Sequence, residues 1–191
     1  MLPIEAVTLR PPTLVEVAMR NGRTAFVTQV SNRDLGAHFQ DVVNIEEISF
    51  PPTIRDSPSY LVKLAESSLQ LFLLASVQPN QEIVGYLAAE RLELFDDVPG
   101  IRGDSHFGLG DSIYLASVAV LDPYRHNGIA IAMTKTCISL AREQQFKRVT
   151  AHVREGSLQR MQLPGRVIRS FPDWYQLGVT YDYIELPVNL P

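Results

Sequence analysis

The most strongly apolar stretch of the chain lies at 113–120, and a second apolar pattern with helical spacing follows it. The first stretch has the length and composition of a buried strand. After a turn, apolar residues recur three or four positions apart, which places them on one face of a helix. These residues are Ile129, Met133, Cys137 and Leu140. The pattern therefore predicts a buried strand, a turn and a helix that runs from 131 to 143.

Other segments follow the same two periodicities. Runs rich in β-formers or alternating in polarity predict strands at 24–30, 69–77, 82–94, 147–153 and 179–186. Helical spacing predicts helices at 35–48 and 59–67, with shorter helical segments at 13–19 and within 156–170. Because a helix joins 113–120 to 147–153, those two strands should run parallel. We expect a domain at 24–191 preceded by an N-terminal extension at 1–23.

Composition narrows the class of protein. The chain has 191 residues, is 46% hydrophobic and carries a formal net charge of −4. These values are typical of a globular protein, argue against nucleic acid as a partner and are compatible with a cationic substrate. The single cysteine, Cys137, excludes an internal disulfide and a zinc site built from several thiolates, and no metal is expected. No signal peptide or membrane-spanning run is recognisable, so we expect a cytoplasmic protein without a membrane partner.

The turn after the apolar strand carries the clearest chemistry. Gly128 lets the backbone approach a ligand closely, and the first amides of the following helix suit a phosphate. Arg125, Gly128 and Ala130, behind a Val-Ala-Val strand end and Pro123, resemble motif A of the GNAT superfamily of acetyl-CoA-dependent N-acetyltransferases. An ordinary strand–turn–helix is the alternative interpretation. The resemblance assigns acetyl-CoA, as acyl donor, to the following residues: Val118, Ala119, Val120, Arg125, His126, Asn127, Gly128, Ile129 and Ala130.

The resemblance also implies a fold and a reaction. The fold is an α/β GNAT fold, a mixed central β-sheet with a splayed pair of parallel strands and helices on both faces. The reaction is direct attack of an amine on the thioester in a ternary complex, with a backbone amide near Val118 or Ala119 polarising the carbonyl. A non-catalytic acyl-CoA-binding module remains the alternative from another class. Whether the protein forms a homodimer stays an open question.

A second patch bears on the acceptor. It resembles the end of the first helix in arylalkylamine and polyamine acetyltransferases, and the residues concerned are Phe50, Pro51, Pro52, Ser57 and Pro58. The chain departs from that pattern with Ile54 and Asp56. A Phe-Pro pair at this place also occurs in ribosomal-protein N-terminal acetyltransferases. A small arylalkylamine or polyamine is therefore favoured, with a protein N-terminus as the alternative.

Proton transfer has three candidate bases and one candidate acid. Tyr114 stands where relatives carry a glutamate or histidine, and strand alternation predicts Ala116 and Val118 on the same face. His152, if unperturbed, titrates near 6–7 and suits a proton acceptor. Glu90 is the third candidate. Tyr175, one residue beyond the register of the family's tyrosine, is the expected acid.

Overall fold

The computed structural model describes residues 14–69 and 71–189, which form one mixed β-sheet flanked by helices. The strands are β1 (Leu14–Ala18), β2 (Thr24–Gln29), β3 (Phe72–Val77), β4 (Glu82–Arg91), β5 (Ser112–Val120), β6 (Arg148–Arg154), β7 (Arg166–Phe171) and β8 (Tyr181–Pro187). The helices are α1 (Asn32–Leu35), α2 (Phe39–Ser49), α3 (Pro58–Ala65), α4 (Ile129–Glu143) and α5 (Ser157–Met161). The order of strands across the sheet is β1-β2-β3-β4-β5-β6-β8-β7.

Two hydrophobic cores cover the two faces of the sheet. The first packs α4 against the sheet and includes Val27, Leu73, Ile113, Met133 and Cys137. The second packs α2 and α3 against the opposite face and includes Val42, Leu61, Phe72, Tyr86 and Tyr114. This arrangement confirms the predicted α/β fold with helices on both faces.

β5 and β6 form a parallel pair that separates half-way along its length. Their pairing runs from Ser112 opposite Arg148 to Leu115 opposite Ala151, whereas β5 continues to Val120 and β6 to Arg154. Beyond Leu115, the edge of β5 that faced β6 is therefore open. The predicted parallel pair is confirmed, and the opening is called here the β5–β6 gap.

A β-bulge in β5 lies at the start of this gap. Ala88 of β4 faces Ser117 while Ala89 faces Leu115, so Ala116 is the extra residue. Bulges bend a strand and increase its twist, which turns β5 away from β6. The bulge also resets the alternation, so Val118 packs with the α4 core and not with Tyr114. The prediction that Val118 shares the face of Tyr114 was wrong for this reason.

Two segments in the N-terminal part of the chain differ from their predicted structure. Instead of a helix at 13–19, Leu14–Ala18 forms the edge strand β1, because its alternating side chains pair with β2 through Val15 and Val27. The helix predicted at 35–48 is divided, with α1 ending at Leu35 and α2 beginning at Phe39. The remainder of the predicted N-terminal extension, 1–13, lies outside the described residues.

The segment predicted as an interrupted helix at 156–170 is half strand. After α5, the backbone at Gly165 lies against β8, where an added Cβ would come within 2.5 Å of the Glu185 carbonyl oxygen. Close backbone contact with β8 favours strand pairing, and Arg166–Phe171 continues as β7. Among the described residues, none of the helices combines the length and apolar character needed to cross a membrane.

Candidate active site

The turn between β5 and α4 presents unpaired backbone amides. The first hydrogen bond of the helix joins Ala132 N to Gly128 O at 2.9 Å, so the amides of 129–131 precede it. Gly128 has φ +83°, and a Cβ added there would meet no protein atom within 4 Å. The backbone conformation therefore favours glycine, and the open space above Gly128 is available to a ligand. Such a helix start attracts an anion.

Side chains fix the shape of residues 121–128, which are called here the cofactor loop after the ligand predicted for them. Arg125 Nε donates to the carbonyl of Val120 at 2.8 Å, and the Arg125 guanidinium is also paired with Asp122. Asn127 Nδ2 donates to the carbonyls of Tyr124 and Arg125, both at 3.1 Å. Arg125 and Asn127 thus hold the loop in place in front of the start of α4.

A cavity of about 340 Å³ lies over this helix start. Its walls come from the cofactor loop and α4 on one side and from α5 on the other. The residues on the loop side are Val120, Tyr124, Arg125, His126, Gly128, Ile129, Ala130 and Ile131. From α5, Arg160 adds a positive charge and Ser157 and Met161 complete the wall. The smaller cavity therefore combines amides and a cation, the groups that bind a pyrophosphate.

A larger cavity of about 1000 Å³ passes through the β5–β6 gap. It is lined by Leu115 to Val118 on β5 and by Ala151 to Arg154 on β6. Ser157 and Met161 line both cavities, so the two adjoin. An extended ligand anchored at the start of α4 can thus reach the open edge of β5 and, through the gap, the other face of the sheet.

The part of the larger cavity on that other face includes Asp56, Tyr114, His152 and Trp174 and is called here the acceptor side, after the amine predicted to bind there. In it, Tyr114 and His152 are hydrogen-bonded. Tyr114 Oη lies 2.9 Å from His152 Nδ1. The imidazole stacks between Trp174 at 4.3 Å and Tyr183 at 4.7 Å, measured between ring centroids. Its Nε2 is buried and makes no hydrogen bond of normal geometry with the described residues. Burial lowers the pKa of His152 to about 3, and the Pro99 carbonyl opposes that shift only in part.

Two carboxylates belong to the same region as Tyr114 and His152: Asp56 lines the larger cavity, and Glu46 is buried in contact with Asp56. Asp56, in the loop between α2 and α3, lines the larger cavity and accepts a hydrogen bond from Ser117 Oγ at 2.7 Å. Glu46 on α2 is almost completely buried, accepts from the Asp56 amide at 2.6 Å and binds the hydroxyl of Tyr86. Burial raises the pKa of Glu46 to about 6 and raises that of Asp56 above its usual value. The acceptor side therefore presents the Asp56 carboxylate, which is supported from within the protein by Glu46.

A buried ion network fixes the outer wall of the acceptor side. Arg148 on β6 donates to Ser112 Oγ at 2.9 Å and to Glu185 at 2.8 Å, and it is paired with Asp104. Tyr183 Oη donates to the same Asp104 at 2.8 Å. Asp104 ends the segment that carries Phe95, Asp97 and Val98 into the wall of the larger cavity, so the network holds this segment against the sheet.

Residues 39–163 match the family described as Acetyltransferase (GNAT) family. The chain belongs to this acetyltransferase family. It is an acyltransferase that uses acetyl-CoA as acyl donor, which fits the amides at the start of α4 and the open edge of β5. The branch predicted within the family, that of arylalkylamine and polyamine acetyltransferases, is not resolved by the match.

Solved structures agree on the fold of this acetyltransferase. The NatC complex bound to Gag peptide and CoA is similar with TM-score 0.68 and 13% identity over 86% of this chain and 99% of that one. The ribosomal-protein-S18-alanine N-acetyltransferase of Escherichia coli is similar with TM-score 0.60 and 13% identity, over 87% of this chain and 96% of that one. The structure of yncA from Salmonella typhimurium with its cofactor acetyl-CoA is similar with TM-score 0.58 and 13% identity, over 86% of this chain and 94% of that one. Comparison with curated protein sequences finds no match.

Most residues predicted for the acetyltransferase site lie in the two cavities. Tyr114, Val118, His152 and Tyr175 line the larger one, and most of the predicted cofactor-binding residues line the smaller one. Asn127 supports the cofactor loop, while Ala119 packs in the α2–α3 core. Glu90 lines neither cavity and accepts a hydrogen bond from the Arg91 amide at 2.8 Å.

Burial shifts the pKa of two groups in this part of the fold. His152 does not keep an ordinary pKa near 6–7, because its imidazole is enclosed by aromatic rings. Cys137 is fully buried, which raises the pKa of its thiol to about 12 and leaves it as a packing residue. The only sign of Asp56 in the sequence was its departure from the arylalkylamine pattern, and nothing local pointed to its contacts with Ser117 and Glu46.

Proposed function

We propose that this acetyltransferase transfers acetyl to the primary amine of a small arylalkylamine or polyamine bound on the acceptor side of the larger cavity. One observation carries the proposal. Where β5 leaves β6, the Asp56 carboxylate lines a cavity to which seven Phe, Tyr and Trp side chains also contribute. These aromatic residues are Phe50, Tyr60, Phe95, Tyr114, Trp174, Tyr175 and Tyr181. An anion among aromatic rings suits a protonated amine attached to an apolar body.

The cofactor side is proposed to hold coenzyme A through backbone groups. Acetyl-CoA, when bound, supplies the acetyl group as an activated thioester. The amides of 129–131 and Arg160 face the smaller cavity and are the proposed pyrophosphate ligands. The open edge of β5 beyond Leu115 offers amides and carbonyls for the pantetheine, and the amide of Val118 or Ala119 is the proposed carbonyl donor.

Tyr114 and His152 are proposed to act as one unit that positions a water molecule, which takes the proton of the acceptor ammonium and passes it to solvent. With its lowered pKa, His152 is uncharged at neutral pH, and its Nδ1 can accept a hydrogen bond from the Tyr114 hydroxyl, which keeps its proton. The Tyr114 oxygen is then oriented to accept a hydrogen bond from a water or from the amine. Because its own pKa is raised well above the usual value by burial, Tyr114 serves as a positioning group and not as an anionic base.

Tyr175 is the proposed proton donor to the leaving thiolate. It lines the larger cavity beside Trp174, with the ring centroids 4.8 Å apart. Partial burial and the charge of Asp97 raise the pKa of Tyr175. The hydroxyl therefore keeps its proton at neutral pH, as an acid requires.

A polypeptide N-terminus is the second candidate acceptor. Two structures with a similar fold point to it: one is named as an S18-alanine N-acetyltransferase, and the other holds a Gag peptide with CoA. An α-amino group carries the same charge as a small amine, so Asp56 suits both. A small amine is preferred because aromatic residues on several segments line the site beside Asp56.

Release of free thiol from acetyl-CoA tests the proposal. The protein is incubated with 2-phenylethylamine, spermidine, short peptides with free N-termini, or no acceptor. We expect turnover with at least one small amine and only slow hydrolysis without acceptor. Release with peptides alone would replace the small amine by a polypeptide N-terminus. Tight acetyl-CoA binding without release for any amine would leave only a binding module.

A further inference from the structure

We infer that Asp56 is the residue that binds the ammonium group of the acceptor and selects charged amines over neutral molecules of the same shape. The inference rests on the proposed function and deepens it, since it names the group that recognises the substrate. The acceptor it implies is a compound with an ammonium next to an apolar or aromatic body.

The bulge in β5 creates the position of Asp56. Regular alternation would point Ser117 toward α4, but the extra residue Ala116 turns it toward the α2–α3 loop. There Ser117 Oγ donates to Asp56 Oδ2 at 2.7 Å. The same bulge lies where the β5–β6 gap begins, so Asp56 is held at the gap itself.

A second hydrogen bond, to a buried residue, fixes the backbone of Asp56. Its backbone amide donates to Glu46 Oε1 at 2.6 Å, and Glu46 is itself bound to Tyr86 on β4. Asp56 is thereby tied to two neighbouring strands, although it belongs to a loop. Glu46 and Ser117 act on the acceptor only through Asp56 and are positioning residues.

The Asp56 carboxylate is not ion-paired with any described residue, although the cation Arg55 precedes it in the chain. Within 14–69 and 71–189, no lysine, arginine or histidine forms an ion pair with it, and its Oδ1 accepts no hydrogen bond. The adjacent Arg55 instead donates to the carbonyls of Glu47 and Phe50, at 2.7 and 3.1 Å. Lys63 also lines the cavity but is exposed on α3.

A partly buried carboxylate in this state is unfavourable unless a cation approaches it. Burial raises the pKa of Asp56, and the hydrogen bond from Ser117 only partly opposes that shift. An ammonium entering the cavity would place a positive charge and hydrogen-bond donors beside Oδ1. The site is therefore complete only with a cationic acceptor.

Paired ligands of the same shape test the inference. Binding of 2-phenylethylamine and of its neutral isostere 2-phenylethanol is measured by calorimetry with coenzyme A present, which prevents turnover. We expect the wild type to bind the amine at least about tenfold more tightly, as for a charge-assisted hydrogen bond. Asp56→Asn should reduce this preference to about threefold or less, with coenzyme A affinity unchanged.

A matched control is available in the same fold. Asp182 is also a buried carboxylate that accepts from a serine, with Ser170 Oγ at 2.6 Å from its Oδ1, and it lines neither cavity. Asp182→Asn should keep the full preference for the amine. Ser117→Ala, which frees Asp56 without removing its charge, should reduce the preference by a smaller factor than Asp56→Asn.

The outcomes separate the two proposals. A folded Asp56→Asn protein that keeps the wild-type preference overturns the inference, and so does a wild type without preference for the amine. Acetyl transfer to small amines would still stand if thiol release continued in those cases. Absence of wild-type thiol release with every amine overturns the proposed function instead.

Discussion

The two sides of the β5–β6 gap are built in different ways. On the cofactor side, one continuous stretch from Leu115 to Ile131 supplies most of the surface, largely through backbone groups. On the acceptor side, the surface comes from side chains on four separate parts of the chain: 50–63, 94–98, 114–117 and 151–181. Their charges also differ, since amides and Arg160 face one side while Asp56 and Glu46 lie at the other.

This difference separates two kinds of requirement. A backbone site needs a particular local conformation and tolerates many side chains. A side-chain site needs each residue and each partner that positions it. We therefore expect the cofactor side to be sensitive at Gly128, whereas the acceptor side should depend on hydrogen-bonded pairs of residues.

The largest effect is expected from Gly128→Val. The side chain would occupy the open space over the amides at the start of α4, and the backbone would keep a φ that valine disfavours. Acetyl-CoA affinity should fall by at least about 10²-fold in calorimetry, the loss expected when a pyrophosphate site is blocked.

Gly108→Val is the matched control for backbone strain. Gly108 has φ +85° and open space around its Cβ position, as Gly128 has, but it lies in neither cavity. Both variants should lose about 1–3 kcal/mol of stability, and only Gly128→Val should lose the cofactor. Equal cofactor affinity in the two folded variants would contradict the assignment of the cofactor loop.

The next effect concerns the Tyr114–His152 pair. His152→Phe keeps an aromatic ring between Trp174 and Tyr183 but removes the nitrogen that contacts Tyr114. We expect a fall in kcat of roughly 10²-fold, the lower range for an acid–base contribution. Tyr114→Phe should match it, and the double variant should be no slower than either single one, because both break one hydrogen bond.

The pH profile provides an independent check of the same pair. The pKa of His152 is lowered to about 3. If the wild-type profile of kcat/KM has a limb near pH 6–7, the same limb should therefore remain in His152→Phe. Losses that multiply in the double variant, or a limb that belongs to His152, would show that the two residues act separately.

A smaller effect is expected at Glu46, as a change in stability. Its folded pKa of about 6 exceeds the usual 4.5, so between these values the folded state binds more protons than the unfolded state. The free energy of unfolding should therefore fall as pH rises through this window, by about 1–2 kcal/mol.

Glu46→Gln should lack this contribution to the pH dependence. Urea unfolding at about pH 4.5 and 7 measures it as a difference from the wild type. The exposed neighbour Glu47 offers the control, since Glu47→Gln should keep the wild-type slope. A Glu46→Gln protein with the wild-type pH dependence would contradict the burial of this carboxyl as its cause.

The smallest effect is expected from Asn127→Ala. This change removes two hydrogen bonds inside the cofactor loop and the contact of Asn127 Oδ1 with the Arg20 amide at 3.1 Å. Because these bonds are largely exposed, acetyl-CoA affinity should weaken only about threefold to tenfold. A loss as large as that of Gly128→Val would mean that Asn127 itself binds the cofactor.

The sequence was informative on the cofactor side because its structure is local. The strand, the turn and α4 follow from periodicity and from Gly128, and the structure confirms all three. The positions of Asp56 and Ser117 could not be predicted, because their contact spans 61 residues and depends on a bulge. A one-residue bulge leaves no periodic signal, yet it decides which side chains of β5 face the acceptor.

The same limit applied to the edges of the sheet. Leu14–Ala18 and Arg166–Phe171 are short edge strands whose pairing with distant segments outweighs weak helical signals. The lowered pKa of His152 could not be predicted from its neighbours in the sequence either, because the rings that bury it come from 171–183. Long-range contacts, rather than residue type, determine the acceptor side.

Hydrogen–deuterium exchange with and without acetyl-CoA is the most direct test of the central claim, that one ligand spans both cavities through the β5–β6 gap. Binding should slow exchange in two peptides at once, one covering 116–120 on the open edge of β5 and one covering 126–131 at the start of α4. The segment 46–56 should change little until an amine is added. Protection of only one of the two peptides, or of neither while acetyl-CoA is bound, would contradict the account.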